Sequence, residues 1–154
     1  MYSYKEKYGE YLSRIEARLK KFYEELDCKP DVLDESLKYS LKSGGKRIRP
    51  VLMYAAADLL GFDDEALDDY ALALELIHTY SLIHDDLPEM DNDDFRRGKP
   101  ANHKVFGAGN AVLAGDGLLN TAYYILLSHC NDGKHCVDAA KFMCDCAGVK
   151  GMIA

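Results

Sequence analysis

Between Glu65 and Ile83 the sequence is apolar almost all the way round a helical period: Leu67, Tyr70, Leu72, Leu74, Leu76, Ile77, Tyr80, Leu82 and Ile83 leave only a thin polar remainder. A helix with one apolar stripe can lie on a surface, but one that is apolar on every side has to be covered on every side. The segment therefore predicts a central, buried helix that other elements surround. It ends on Asp85 and Asp86, at a C-terminus where the helix dipole and desolvated surroundings both oppose negative charge.

The elements available to surround it are also helical. Tyr11, Ile15, Leu19 and Phe22 recur every three or four residues, and Leu33, Leu37 and Leu41 do so after Pro30; these read as two amphipathic helices, the second ending at Gly44-Gly45. Pro50 suits the first turn of a third helix that runs to Leu60 and stops at Gly61. Asp63 and Asp64 open the central helix with a favourable charge for its dipole. Helical patterns follow from Ala111 to Leu127 and from Cys136 to about Ala154, and no strand alternation is evident. With 154 residues, 48% of them hydrophobic, the expectation is one all-α domain spanning 1–154.

The classes this excludes follow from charge and composition. The amino-terminal stretch MYSYKEKYGEYLSRIE has no apolar leader, and VLMYAAADLL is too short to cross a bilayer, so a cytoplasmic protein with no membrane span is expected. Five cysteines, an odd number, point to free thiols in a reducing compartment. A net charge of -7 argues against nucleic acid as a partner.

The densest chemistry lies in SLIHDDLPEMDNDDFRRGKPANH, Ser81 to His103. The carboxylates of Asp85 and Asp86 need an offsetting charge, and a hard cation such as Mg²⁺ takes carboxylate oxygens while leaving positions for phosphate. Pro88 breaks the helix so that Asp91 can fold back toward Asp85, and Arg96-Arg97 follow with guanidinium groups suited to phosphate oxygens. A solvated acidic turn is the plainer reading, since DDEALDD (Asp63 to Asp69) occurs in the same chain. An EF-hand is excluded: Phe95 and Arg96 stand where oxygen ligands and glycine should be. A second basic island, SGGKRIRP (Ser43 to Pro50), joins two helices and could present its cations to an anion near a helix N-terminus. It lacks P-loop spacing. Two such islands flanking a buried apolar helix suggest two phosphorylated substrates with apolar bodies.

These stretches resemble the trans-prenyl diphosphate synthases. GGKRIRP is similar to that family's first basic motif, IHTYSLIHDDLPEMDNDDFRRGKPANH to its first aspartate-rich motif, and VFGAGNAVLAGDGLL to the helix that follows, in the form of bacterial farnesyl diphosphate synthases. The resemblance implies an all-α bundle around a deep apolar cavity, assembled as a homodimer. It implies that Asp85, Asp86 and Asp91 hold Mg²⁺ against an allylic diphosphate, with Arg96 adding hydrogen bonds, and that Lys46, Arg49, His78 and Arg97 hold isopentenyl diphosphate. His78 and Asp85 are seven residues apart, on one helix face, with Ser81 between them; without the resemblance His78 reads as a packed core histidine. Tyr80, with Ser81 beside it, would set product length, and His84 has no implied role.

The implied reaction begins with ionisation of the allylic C–O bond, which magnesium and cationic side chains favour. The isopentenyl double bond attacks the cation head to tail and a proton is lost, in a cavity that must be dry. Members of the family are about twice this length and carry a second aspartate-rich segment; no later pair of aspartates follows Asp116 here. The chain is thus expected to correspond to the amino-terminal half of the fold, as a fragment or as a natural short protein. It would then be inactive alone and associate with a missing half or another chain. Two other classes stand beside this one. A class I terpene cyclase would have no use for GGKRIRP, whereas a non-catalytic partner subunit would keep it. His129-Cys130, His135-Cys136 and Cys144-x-Cys146 could bind zinc, but without a paired C-x-x-C.

Overall fold

The computed structural model describes residues 3–154; Met1 and Tyr2, the first residues of the stretch read as leaderless, lie outside them. Seven helices and one two-stranded hairpin follow in order: α1 (Tyr4–Glu25), α2 (Asp31–Leu41), α3 (Ile48–Leu60), α4 (Ala66–Asp85), β1 (Phe95–Arg96), β2 (Lys99–Pro100), α5 (Asn102–Phe106), α6 (Ala108–Ser128) and α7 (Lys134–Ala147). The all-helical expectation holds for the bundle. No described helix is long and apolar enough to cross a membrane.

Local chemistry accounts for most boundaries. Ser3 caps α1 in a reciprocal pair: its hydroxyl accepts from the Glu6 N–H at 3.3 Å while Glu6 Oε2 accepts from the Ser3 N–H at 2.8 Å. Gly61 ends α3 with φ of 64°, a left-handed cap that lets the Phe62 N–H reach the Ala57 carbonyl at 2.9 Å. Asp64 Oδ1 accepts from the Ala66 N–H at 2.8 Å at the start of α4.

The central position of α4 is as its composition requires. Ala71, Leu72, Ala73 and Leu76 are completely buried. Its most extensive packing is with α6, where Ala111, Ala114, Gly115 and Ala122 are buried and let the two backbones approach. The far side is covered by α1 and α3, and two ion pairs tie α1 to the start of α4: Arg14 to Asp68 at 2.6 Å and Arg18 to Asp69 at 2.7 Å.

Two expectations require correction. The chain does contain strand, because Arg97 and Gly98 take φ of 53° and 75° and form the two-residue turn whose left-handed pair matches hairpin twist; Phe95 then pairs with Pro100 and Arg96 with Lys99. The last helix also ends at Ala147, well short of Ala154. Residues from Gly148 onward turn back instead, and Gly151 packs so closely on the Cys146 carbonyl that a Cβ there would overlap it.

Candidate functional site

The hairpin after α4 links the charged motifs, with Arg96 on Asp86 at the end of the helix and Arg97 on Gly44 of the second island. After Asp86 the chain leaves the helix, and the loop closes on itself. The Asp91 N–H donates to the Asp85 carbonyl at 2.8 Å, and the N–H groups of Met90 and Asn92 reach the Leu87 carbonyl at 2.9 and 3.0 Å. Asn92 takes φ of 54° to allow it. The loop therefore folds back as Pro88 led us to expect. Asp85 is half-buried, Asp91 exposed, and among the described residues neither carboxylate is drawn into an ion pair.

Asp86 behaves differently. It is 2% exposed, and Arg96 grips it from β1: Nε donates to both carboxylate oxygens at 2.9 and 2.8 Å, and Nη2 to Oδ1 at 2.6 Å. That carboxylate raises the Arg96 guanidinium above its ordinary range. Asp86, expected at the metal, and Arg96, expected at a diphosphate, are joined to each other. The physical reason is burial: a desolvated carboxylate at the negative end of a helix needs a full charge against it, and a bidentate guanidinium supplies one.

The second island divides in the same way. Arg47 takes a left-handed φ of 45° that turns its side chain inward, where it is 3% exposed. Nε donates to Glu16 at 2.8 Å, Nη1 to Glu75 at 2.8 Å and Nη2 to the Leu41 carbonyl at 2.9 Å. It pins α1, α2 and α4, and although it borders the cavity beside it, its guanidinium is committed to these three partners. Lys46 and Arg49 remain, and with His78 and Arg97 they line one cavity of about 450 Å³, whose wall also includes the paired Arg47 and Glu75. Arg49 Nη1 lies 3.3 Å from His78 Nε2; a guanidinium only donates, so Nε2 accepts and the imidazole is neutral. Burial, then the nearby Arg49 and Arg97, push the His78 pKa down to about 4. Arg97 reaches the cavity from the hairpin turn and donates to the Gly44 carbonyl. Burial and the neighbouring Arg47 and Arg96 lower its own pKa.

What holds the hairpin there was not legible in the sequence. Asn102 is buried with every polar group engaged: Nδ2 donates to the Ser36 carbonyl at 2.9 Å and to Ser40 Oγ at 2.8 Å, and Oδ1 accepts from Ser36 Oγ at 2.9 Å. Tyr39 donates to the Pro100 carbonyl at 2.9 Å. These bonds fasten the Arg96–Arg97 segment to α2.

An apolar cavity of about 600 Å³ adjoins the cationic one, and Arg49 and His78 line both. Its walls include Met53 of α3, Phe142 of α7, and Leu67, Tyr70, Leu74 and Ile77 of α4. Those four α4 residues are spaced by three and four, one face of a helix, and Ser81 and Asp85 continue the same stripe. Tyr80 does not line the cavity; it stands about 100° round the helix from Ser81, buried, with its ring edge-on to His84 at 5.7 Å.

Among the described residues no group of three or more His, Cys, Asp and Glu is arranged to hold a metal ion, and the zinc alternative gains no support. The five cysteines are free. Asp85 and Asp91 offer hard oxygen donors, which fit Mg²⁺ as part of a shell that a ligand's own oxygens complete.

Known proteins share this sequence pattern and fold. The sequence profile of the family described as polyprenyl synthetase matches residues 30–148. A farnesyl diphosphate synthase from Bacillus subtilis is 46% identical over 142 residues, covering 90% of this chain and 48% of that protein. The large subunit 1 of a chloroplastic heterodimeric geranylgeranyl pyrophosphate synthase from Arabidopsis thaliana is 59% identical over 99 residues, 64% of this chain and 27% of its own. A crystal structure of a geranyltransferase from Legionella pneumophila superposes with a TM-score of 0.90 at 43% identity, over 97% of this chain and 53% of that one. The chain thus spans about half the length of the relatives it matches or less, and it has the isoprenoid synthase fold over that span.

Proposed function

The chain belongs to the polyprenyl synthetase family, and on that premise we propose that it forms the substrate-binding amino-terminal half, as one domain, of a Mg²⁺-dependent prenyltransferase. The reaction is condensation of isopentenyl diphosphate with an allylic diphosphate, dimethylallyl or geranyl, to farnesyl diphosphate. One observation carries the reading: a cavity lined by Lys46, Arg49, His78 and Arg97 shares Arg49 and His78 with an apolar cavity, and the helix that lines both runs on into the folded-back Asp85–Asp91 loop.

Each group then has a task. Lys46, Arg49 and Arg97 hold phosphate oxygens of the isopentenyl substrate, with neutral His78 adding a hydrogen bond. Asp85 and Asp91 hold Mg²⁺ against the allylic diphosphate; the bound ion supplies charge stabilisation to that leaving group. Arg96 acts through Asp86, neutralising it and fixing the loop. The apolar stripe from Ser81 to Leu67 takes the allylic tail and keeps water from the cation. Ser81 stands one turn beyond Ile77 on the same helix face, and Tyr80 affects tail length from its flank.

The rival reading is a partner subunit that binds diphosphate without turning it over; a relative described as the large subunit of a heterodimer keeps it in view. Condensation of radiolabelled isopentenyl diphosphate with dimethylallyl diphosphate separates the two. The 154-residue chain is assayed alone and together with the separately expressed C-terminal half of a bacterial relative. The proposal expects little product alone, since losing even one preorganised donor can cost about 10²- to 10³-fold, and product in the mixture. No product in the mixture, with Mg²⁺-pyrophosphate still bound, favours the subunit.

A further inference from the structure

The imidazole of His84 occupies a slot shaped for it. Its Nε2 lies 3.1 Å from the Val112 carbonyl, and because a carbonyl only accepts, the proton sits on Nε2. Gly115, one turn further along α6, has nothing where the ring stands; a Cβ there would overlap the imidazole. From α4 itself the Tyr80 ring meets it edge-on at 5.7 Å, and Asp116 Oδ1 lies 3.8 Å from Nε2. These contacts fix the rotation and rise of the last turn of α4 against α6. The next residue is Asp85, whose carbonyl in turn anchors Asp91 at 2.8 Å. A slip of that turn by one residue would swing the Asp85 carboxylate by about 100°, off the helix face that it shares with Leu67, Tyr70, Leu74 and Ile77.

We propose that His84 is a positioning residue for the metal-binding carboxylates: docked in the Gly115 slot, it holds Asp85, and through the loop bond Asp91, on the face of α4 that it shares with Leu74 and Ile77. The inference rests on the reading of Asp85 and Asp91 as Mg²⁺ ligands. It goes beyond a stabilising contact, because it predicts a change in metal dependence that loss of packing would not produce.

Calorimetric titration with pyrophosphate, with and without Mg²⁺, tests it. The readout is the ratio of the two dissociation constants, with the unliganded thermal midpoint recorded for every variant. His84→Ala is expected to reduce the Mg²⁺-dependent gain about tenfold, at the lower end of what groups outside the ligand set typically contribute. Gly115→Ala, which leaves His84 in place but fills its slot, gives the same loss. His84→Gln restores most of the gain, because its amide N–H can reach the Val112 carbonyl. Gly117→Ala changes nothing, since a Cβ there meets only the Leu37 side chain, with Cδ2 at 3.4 Å and Cδ1 at 4.0 Å. Should Gly115→Ala not fold, the contrast between His84→Ala and His84→Gln decides. Folded His84→Ala with the wild-type ratio overturns the inference alone. A wild-type chain that gains nothing from Mg²⁺ overturns the ligand reading beneath it.

Discussion

The guanidinium of Arg97 lies against the backbone of Gly45, where a Cβ would stand 2.5 Å from Nη1. The hairpin and the α2–α3 turn are therefore one site, built by a close approach that only glycine allows. Gly45 also has φ of 137°, a conformation L side chains rarely adopt. Gly45→Ala is predicted to push Arg97 out of the cationic cavity and to weaken pyrophosphate binding without Mg²⁺ by about tenfold, the worth of one charge-assisted hydrogen bond. Arg97→Ala should do the same, and the double variant should add little. Calorimetry checks it; additive losses would mean that the two residues act separately.

His78 should stay neutral across the physiological range. Burial and the neighbouring arginines hold its pKa at about 4, whereas the unfolded chain takes up that proton near 6.5. The unfolded state thus binds more protons between those values. The stability His78 contributes is complete above pH 6.5 and is lost as pH falls toward 4. His129 has the opposite sign: burial opposes its charge, but the Asp69 and Asp132 carboxylates outweigh it and raise the pKa. Its contribution is full below pH 6.5 and fades as pH rises through the raised value. Long-range ¹⁵N–¹H spectra read both rings directly, and should find His78 protonated on Nδ1 only. A midpoint near 6.5 for His78 would contradict the cavity electrostatics.

Arg47 should behave as structure, not as a ligand. Replacing it with alanine strands Glu75, 1% exposed and already without a partner at Oε2, and breaking a buried pair in this way costs about 3–5 kcal/mol. Urea denaturation measures the loss. A loss under about 1 kcal/mol, with pyrophosphate affinity reduced instead, would mean that Arg47 faces the ligand.

Ser81 sits four residues before Asp85 on the cavity stripe, about 6 Å below it along the helix axis. Ser81→Phe should place a ring just beyond His78, the last α4 residue lining the apolar cavity, lowering affinity for geranyl diphosphate about tenfold while leaving pyrophosphate unchanged. Competition binding with the two ligands checks it. Equal effects on both would show that the tail does not run along this face of α4.

Periodicity made the helices legible because burial of α4 dictates a wrap of amphipathic partners, and Gly61 marks a boundary through backbone conformation alone. The motifs were legible as motifs: Lys46, Arg49, His78 and Arg97 line one cavity, and Asp85 and Asp91 share one folded-back loop. What sequence could not assign was direction. Arg47 and Arg49 look alike in SGGKRIRP, and only the left-handed φ at Arg47 turns one inward. Asp85 and Asp86 look alike too, and only burial of the second commits it to Arg96. The hairpin escaped because its turn uses arginine where asparagine or aspartate usually precedes the glycine. The Ser36–Asn102 pairing spans sixty-six residues and leaves no local pattern.

The central claim is that the C-terminal end of α4 binds a metal–diphosphate complex. Paramagnetic broadening of backbone amide signals by Mn²⁺ with pyrophosphate tests it most directly, because α4 carries aspartates at both ends, about 24 Å apart from Asp69 to Asp85. The account predicts broadening at Asp85, Asp91, Lys46 and Arg97, lost in Asp85→Ala, with Asp63, Asp64, Asp68 and Asp69 unaffected. Broadening confined to that other acidic end, or broadening at Asp85 that persists in Asp85→Ala, would contradict it.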